Sequence, residues 1–211
     1  MIRIKICGVT SAADVRAVAE SGADAIGFNF WSKSKRRVEP AVAAELAREL
    51  PAFVTRVGVF VDEDRARIEE IAAEVGLDVV QLHGSETAEL ARSLSRRVVR
   101  GVRARSASDL DGVEAYGASA VLIDAYHPDA PGGTGLRADW ALARTASRRY
   151  PVILAGGLDP SNVAEAVRVV EPYAVDVASG VERAPGVKDP DKIRAFVERA
   201  RAAFEEKRKS S

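Results

Sequence analysis

Residues 2–30 read IRIKICGVTSAADVRAVAESGADAIGFNF, and this stretch decides the fold. An alternating β-branched run, Ile2 to Cys7, stops at Gly8. An amphipathic, alanine-rich segment, Ala12 to Ser21, follows and exits at Gly22. A second short apolar run, Ala25 to Phe30, comes straight after it. A buried strand, a helix and another buried strand at this spacing read as parallel β-strands joined by a helical crossover.

The same rhythm runs outward along the chain. Further β-branched runs occur at Arg56 to Val61, Val79 to His83, Val98 to Arg103, Ala120 to Asp124, Val152 to Ala155 and Val175 to Ala178. Amphipathic segments rich in Ala, Glu and Arg lie between them, among them Val42 to Leu50, Asp64 to Val75 and Ile193 to Phe204. Asp62, Ser85, Ser106, Asp159 and Asp189 stand where helices should start and can cap them. About eight strand and helix units in a chain of this length predict an α/β fold, a (β/α)8 TIM barrel of eight parallel strands alternating with helices. A doubly wound open sheet is the competing architecture, and regular units without a long excursion favour closure. No linker or low-complexity block divides the chain. The reading is one barrel domain over residues 1–211, with 205–211 a tail expected to fray.

Composition narrows the function. The 211 residues are 47% hydrophobic and 29% charged, with 31 basic and 31 acidic side chains. That balance argues against a nucleic acid or a membrane as partner recognised by bulk charge. One cysteine makes neither an internal disulfide nor a multi-thiolate metal site. The first residues alternate rather than forming a signal peptide, and no run approaches the roughly 20 apolar residues of a membrane span. A cytoplasmic location is expected. Met1, Gln81, Asn29 and Asn162 are the only residues of their oxidisable or amide types, a usage seen in thermophiles and also produced by codon bias.

In a barrel of this kind chemistry lies at the carboxyl ends of the strands. Those ends carry Cys7-Gly8, Asn29-Phe30, Gln81-Leu82-His83-Gly84, Arg103, Asp124, Gly156-Gly157 and Ser179-Gly180. Period-two alternation puts Lys5 on the face of Cys7, Gln81 on that of His83 and Asp176 on that of Ala178. Each has a plain structural reading as well. A lone cysteine is usually a small buried hydrophobe, but at a strand end, as thiolate, it can remove a proton if a nearby positive charge lowers its pKa. Asp124 can be a turn cap. Facing a base and kept protonated by burial, it is a natural general acid. His83 reads as a group that shapes the site, His127 as exposed, and Lys5 with Asp176 as a buried ion pair.

Gly156 and Gly157 with Asn162, and Ser179 with Gly180, follow the last two strands, where barrels often build a phosphate site from backbone N–H groups. The ligand should be a small phosphorylated molecule. The basic run Ser32 to Arg37 can clamp a carboxylate, and Gly132-Gly133-Thr134-Gly135 reads as a lid or a turn.

Taken in order, Lys5-Ile6-Cys7-Gly8, Ser34-Lys35-Arg36-Arg37-Val38, Gln81-Leu82-His83-Gly84, Asp124, Gly132 to Gly135 with Asp139-Trp140, Gly156-Gly157-Leu158 with Asn162, and Asp176 to Glu182 resemble the phosphoribosylanthranilate isomerase family. The resemblance covers essentially the whole chain. It implies the third step of tryptophan biosynthesis from chorismate, an Amadori rearrangement of a phosphorylated sugar, with no metal or organic cofactor. It implies Asp124 as general acid and Cys7 as general base. Arg36 would hold the anthranilate carboxylate, Gly157, Asn162, Ser179 and Gly180 would surround the phosphate, and Gln81, His83, Gly133, Gly156 and Asp176 would complete the substrate site. Ala125 and Ala178 stand where the family favours small hydroxyl residues. Trp31 can pack on the anthranilate ring or lie exposed. The rivals are indole-3-glycerol phosphate synthase, a histidine-pathway sugar isomerase and a barrel that binds a sugar phosphate without turnover. Either a monomer or a homodimer fits the sequence.

Overall fold

Residues 2–124 and 139–210 are described in this computed structural model. The expectations for Ala125, His127 and the Gly132 to Gly135 segment, Gly133 included, lie outside the described residues. The strands β1 (Arg3–Cys7), β2 (Ala25–Asn29), β3 (Thr55–Phe60), β4 (Val79–Leu82), β5 (Arg97–Arg103), β6 (Ala120–Asp124), β7 (Val152–Leu154) and β8 (Ala174–Val177) close into a barrel in that order. Every neighbouring pair is parallel, including β1 with β8 at the closure.

The helices are α1 (Ala12–Ser21), α2 (Pro40–Arg48), α3 (Arg65–Val75), α4 (Ala88–Ser93), α5 (Trp140–Ser147), α6 (Val163–Val170) and α7 (Pro190–Ser210). Their caps follow local chemistry. Ser11 accepts from the Asp14 N–H at the start of α1, and Gly22 ends that helix at φ 73°, a left-handed turn that glycine adopts without steric cost. Thr87, not Ser85, caps α4. Asp62 caps no helix; at φ 52° it instead accepts from the Ser85 N–H. The β5 to β6 connection holds two 3₁₀ turns, because Gly112 and Gly117, both left-handed, cut the segment into pieces too short for an α-helix.

Alternation along each strand builds two different cores. Ile4, Ile6, Ile26, Phe28, Phe60, Leu82, Ile123, Leu154 and Val175 point outward and are buried against the helices. Each contributes about 1.5–3 kcal/mol of burial, which locks the helical ring to the barrel. Inside, a smaller apolar cluster of Val99, Ala120, Leu122, Ile153, Ala155 and Ala174 fills one side. The β1–β8 seam departs from that rule. There the register sets Lys5 directly opposite Asp176, and the two form a 2.9 Å ion pair with both side chains less than a tenth exposed.

One feature of the fold was not legible in the strand rhythm. After β8 a short 3₁₀ turn, Ser179–Val181, leads into a hairpin of β9 (Glu182–Ala184) and β10 (Val187–Lys188). It folds over the mouth against the β1–α1 loop, where the Thr10 hydroxyl donates to the Gly186 carbonyl at 2.8 Å, and beside Lys35 of the β2–α2 loop.

Candidate active site

The carboxyl ends of the strands enclose a cavity of about 720 Å³ lined by Cys7, Asn29, Trp31, Arg36, Gln81, His83, Asp124, Asp176, Ser179 and Glu182, among others. Cys7 closes β1 and Asp124 closes β6. On one side only β7 and β8 separate those strands, so thiol and carboxyl reach the same space from different walls.

Cys7 is buried and unpaired with any other cysteine. Gly27 sits beside it in register, and a Cβ there would come within 2.8 Å of the Cys7 sulfur and 3.2 Å of Lys5 Cε. Glycine on β2 therefore makes the room that thiol and ammonium occupy. Burial pushes the Cys7 thiol up, Lys5 pulls it down, Asp176 adds to the rise and Lys188 opposes it; the net direction is upward. A positive charge does stand near the thiol, as the sequence reading required, but desolvation outweighs it. For Lys5 burial acts first, lowering its affinity for the proton, yet Asp176 and Cys7 outweigh that and hold the ammonium charged above its ordinary range.

At the other wall, His83 Nε2 lies 3.4 Å from Asp124 Oδ2. Gln81 Nε2 lies 3.1 Å from His83 Nδ1. With the amide donating to Nδ1, the imidazole proton sits on Nε2 and faces Asp124. Space for the ring comes from Gly101 on β5, where a Cβ would overlap the imidazole. The loop behind His83 is pinned by buried Glu86, which accepts from the Gly84 N–H at 2.9 Å and pairs with Arg100 at 2.9 Å.

Arg36 reaches the cavity from the β2–α2 loop, but its partner there is Glu182. Nε donates to Oε1 at 2.7 Å and Nη2 to Oε2 at 2.8 Å, a bidentate grip on one edge of the guanidinium. Lys188 donates to the same carboxylate at 2.9 Å and to the Ala178 carbonyl at 3.0 Å, with its side chain wholly buried. Burial alone would raise the Glu182 carboxyl; the Arg36 and Lys188 contacts outweigh it and hold it below the usual range.

The last two strand-end loops pack directly on each other. A Cβ at Gly180 would overlap the Leu158 carbonyl oxygen and come within 2.9 Å of Asp159 Cβ. Gly156 and Gly157 take φ of 82° and 65°. The Asn162 amide is engaged inside the loop, accepting from the Asp159 N–H at 3.0 Å and donating to the Gly157 carbonyl at 2.8 Å. Asn162 thus shapes the loop, while Ser179 lines the cavity. Among the described residues no group of His, Cys, Asp and Glu could hold a metal ion.

A family model described as N-(5'-phosphoribosyl)anthranilate isomerase matches residues 4–199. The chain belongs to this family. The N-(5'-phosphoribosyl)anthranilate isomerase of Geotalea daltonii is 48% identical over 201 residues, covering 95% of this chain and 97% of its own. That of Geobacter metallireducens is 48% identical over 202 residues, covering 96% and 100%. Among solved structures, the phosphoribosylanthranilate isomerase of Thermotoga maritima matches with a TM-score of 0.89 at 42% identity, over 96% of this chain and 100% of that one. Another phosphoribosylanthranilate isomerase structure, in complex with reduced 1-(o-carboxyphenylamino)-1-deoxyribulose 5-phosphate, matches with a TM-score of 0.86 at 41% identity, over 96% and 100%.

Within this isomerase the predicted Cys7, Arg36, Gln81, His83, Asp124, Asp176 and Ser179 all line one cavity. Gly156, Gly157, Asn162 and Gly180 form the loops beside it. Sequence reasoning missed Glu182 and Lys188 as parts of the site. The Pro185-Gly186 pair was the available signal: such a turn brings residues on its two sides into register, and Lys188 indeed pairs with Glu182. Lys5, read as a barrel-filling partner of Asp176, also acts on the thiol.

Proposed function

We propose that this isomerase, in rearranging N-(5'-phosphoribosyl)anthranilate to 1-(2-carboxyphenylamino)-1-deoxyribulose 5-phosphate, uses Asp124 as general acid and Cys7 as general base. The observation that carries the assignment is the pairing of each group with its own support in one cavity: Cys7 with Lys5, and Asp124 with His83. The reaction is the Amadori rearrangement at the third step of tryptophan biosynthesis, and it only moves protons.

Asp124 protonates the ring oxygen of the ribose, the ring opens and the anthranilate nitrogen becomes a Schiff base. The Cys7 thiolate then removes the proton from the adjacent sugar carbon, and the electron pair left behind neutralises the iminium to give an enolamine. Tautomerisation yields the ketone, with no net gain or loss of atoms. Acid and base each supply roughly 10²- to 10⁴-fold of rate.

Substrate placement follows the same geometry. Glu182 grips the Nε and Nη2 edge of Arg36, which leaves the Nη1 edge as the one to meet the anthranilate carboxylate. Trp31 on the cavity wall offers a face to the aromatic ring. The ribose phosphate binds between the loops of Gly156 and Gly157 and of Ser179 and Gly180, whose packing Asn162 maintains.

Turnover of freshly made phosphoribosylanthranilate, followed by loss of its fluorescence, tests the assignment. Cys7→Ser and Asp124→Asn should each lose at least about a hundredfold in kcat with the fold intact. Retention of near wild-type kcat by either variant removes that residue from its role.

The working assembly is a homodimer. A Thermotoga maritima relative, 40% identical with a TM-score of 0.86 over 96% of this chain and all of its own, is described as a dimeric phosphoribosylanthranilate isomerase from which monomers were generated. In this chain Phe53, in the loop from α2 to β3, is 99% exposed, an apolar group that a second copy would cover. Among the described residues no helix is long and apolar enough to cross a membrane; the cytoplasm is the proposed location.

A further inference from the structure

The surroundings of Cys7 hold more positive charge than the acid and base scheme uses. On the β1–β8 seam Lys5 is matched by Asp176 at 2.9 Å. On the hairpin side two cations, Arg36 and Lys188, share the single carboxylate of Glu182. Asp14 from α1 meets Lys188 only at its backbone N–H, and Lys192 from α7 meets Glu182 only at its carbonyl, so neither engages these side chains. His83 and Asp124 pair with each other at the far wall. Among the described residues, the side-chain contacts around the thiol therefore leave one cation of the hairpin cluster without a carboxylate of its own.

Lys188 is the buried member of that cluster. Its side chain is fully enclosed, against 15% exposure for that of Arg36, and its ammonium is fixed by Glu182 and by the carbonyl of Ala178, just past the end of β8. Burial loosens the hold of this ammonium on its proton and outweighs Glu182 and Cys7, which favour the charge, so its net direction is downward; enclosed in this way it is also poorly screened, so its field acts at short range on whatever charge forms beside it. β1 is the hydrogen-bonded neighbour of β8, and at the Cys7 thiol, behind the larger effects of burial, Lys5 and Asp176, Lys188 favours the thiolate. Arg36, partly open to the mouth, is left to meet the ligand.

We propose that Lys188 is a positioning residue for the base: its buried ammonium supplies the unmatched positive charge against which the Cys7 thiolate forms, and Glu182 ties that charge to the substrate-facing Arg36. This rests on the assignment of Cys7 as the base, and it adds a task to a hairpin that otherwise only walls the cavity. Substrate carboxylate at Arg36 and thiolate at Cys7 then draw on one cluster.

Cys7 is the only thiol in the chain, which makes a direct test clean. The rate of alkylation of the intact protein by iodoacetamide, measured against pH, reads the thiolate fraction without any turnover. Lys188→Met should raise the midpoint by about one pH unit, so that alkylation near neutral pH slows about tenfold. Lys188→Arg, which keeps the charge in a different shape, should stay close to wild type. Glu182→Gln should move the midpoint downward, a direction that general loosening shared with Lys188→Met cannot produce. An unmoved midpoint in Lys188→Met, an equal rise in Lys188→Arg, or a rise in Glu182→Gln overturns the proposal. A shifted midpoint alongside full turnover by Cys7→Ser keeps the charge-setting role and removes the base assignment, so the two failures are distinct.

Discussion

At the scale of single residues, the site depends on side chains whose sequence context looks ordinary. Cys7 and Asp124 could be read from their places at strand ends, since the end of a barrel strand is where a polar group meets the cavity. What the thiol experiences was not readable, because Lys188 and Asp176 lie far along the chain from it and only folding sets their fields on it. Burial pushes the Cys7 thiol up and Lys5 and Lys188 oppose the rise without cancelling it. The base form therefore gains population as pH increases. The expected kcat/KM profile climbs with pH to a midpoint above the ordinary thiol range, and that midpoint should coincide with the alkylation midpoint of Cys7. A profile already flat below neutral pH would show that another group limits the reaction. His83 makes a matching case at the other wall: its ring occupies the space left by Gly101 and is oriented by Gln81.

Elements bring these residues together through close packing that side-chain patterns do not announce. The glycines of the last two loops signalled a phosphate site by their order, yet Gly180 has a steric task as well. Any Cβ there would meet the backbone of Leu158, which cannot move aside as a flexible side chain could. Gly180→Ala should force the two loops apart. The expected result is a KM raised about tenfold or more, equivalent to about 1.4 kcal/mol of binding, measured by steady-state kinetics with the fold checked by circular dichroism. An unchanged KM would place the phosphate elsewhere. The hairpin of β9 and β10 was the element least visible beforehand. Its strands are too short to show alternation, which leaves the Pro185-Gly186 turn as the local signal of the pairing of Lys188 with Glu182.

For the whole molecule, closure leaves each of the eight barrel strands paired on both sides, so the barrel itself offers no open edge to another chain. Association then falls to the helices, the loops or the hairpin. The α2–β3 loop leads into the start of β3, on the face of the barrel opposite the mouth, and it carries the fully exposed Phe53. A dimer formed there leaves the cavity accessible. Phe53→Asp should shift the protein to monomer in analytical ultracentrifugation, lower its melting temperature and leave kcat/KM unchanged. Persistence of the dimer would assign the contact to another surface.

Sequence alone suffices for the barrel, because its strands are short apolar runs rich in β-branched residues and its helices carry their own apolar faces, local properties that survive without knowledge of the partners. It also determined which strand ends hold a thiol, an imidazole and a carboxyl. Only the folded chain sets Glu182 against one edge of Arg36, engages Asn162 within its loop and buries Lys188 on the Glu182 carboxylate. The reason is physical: electrostatic fields and steric exclusion act through space. They depend on which distant segments the closed barrel and its hairpin bring within a few ångströms, a quantity that no local pattern records.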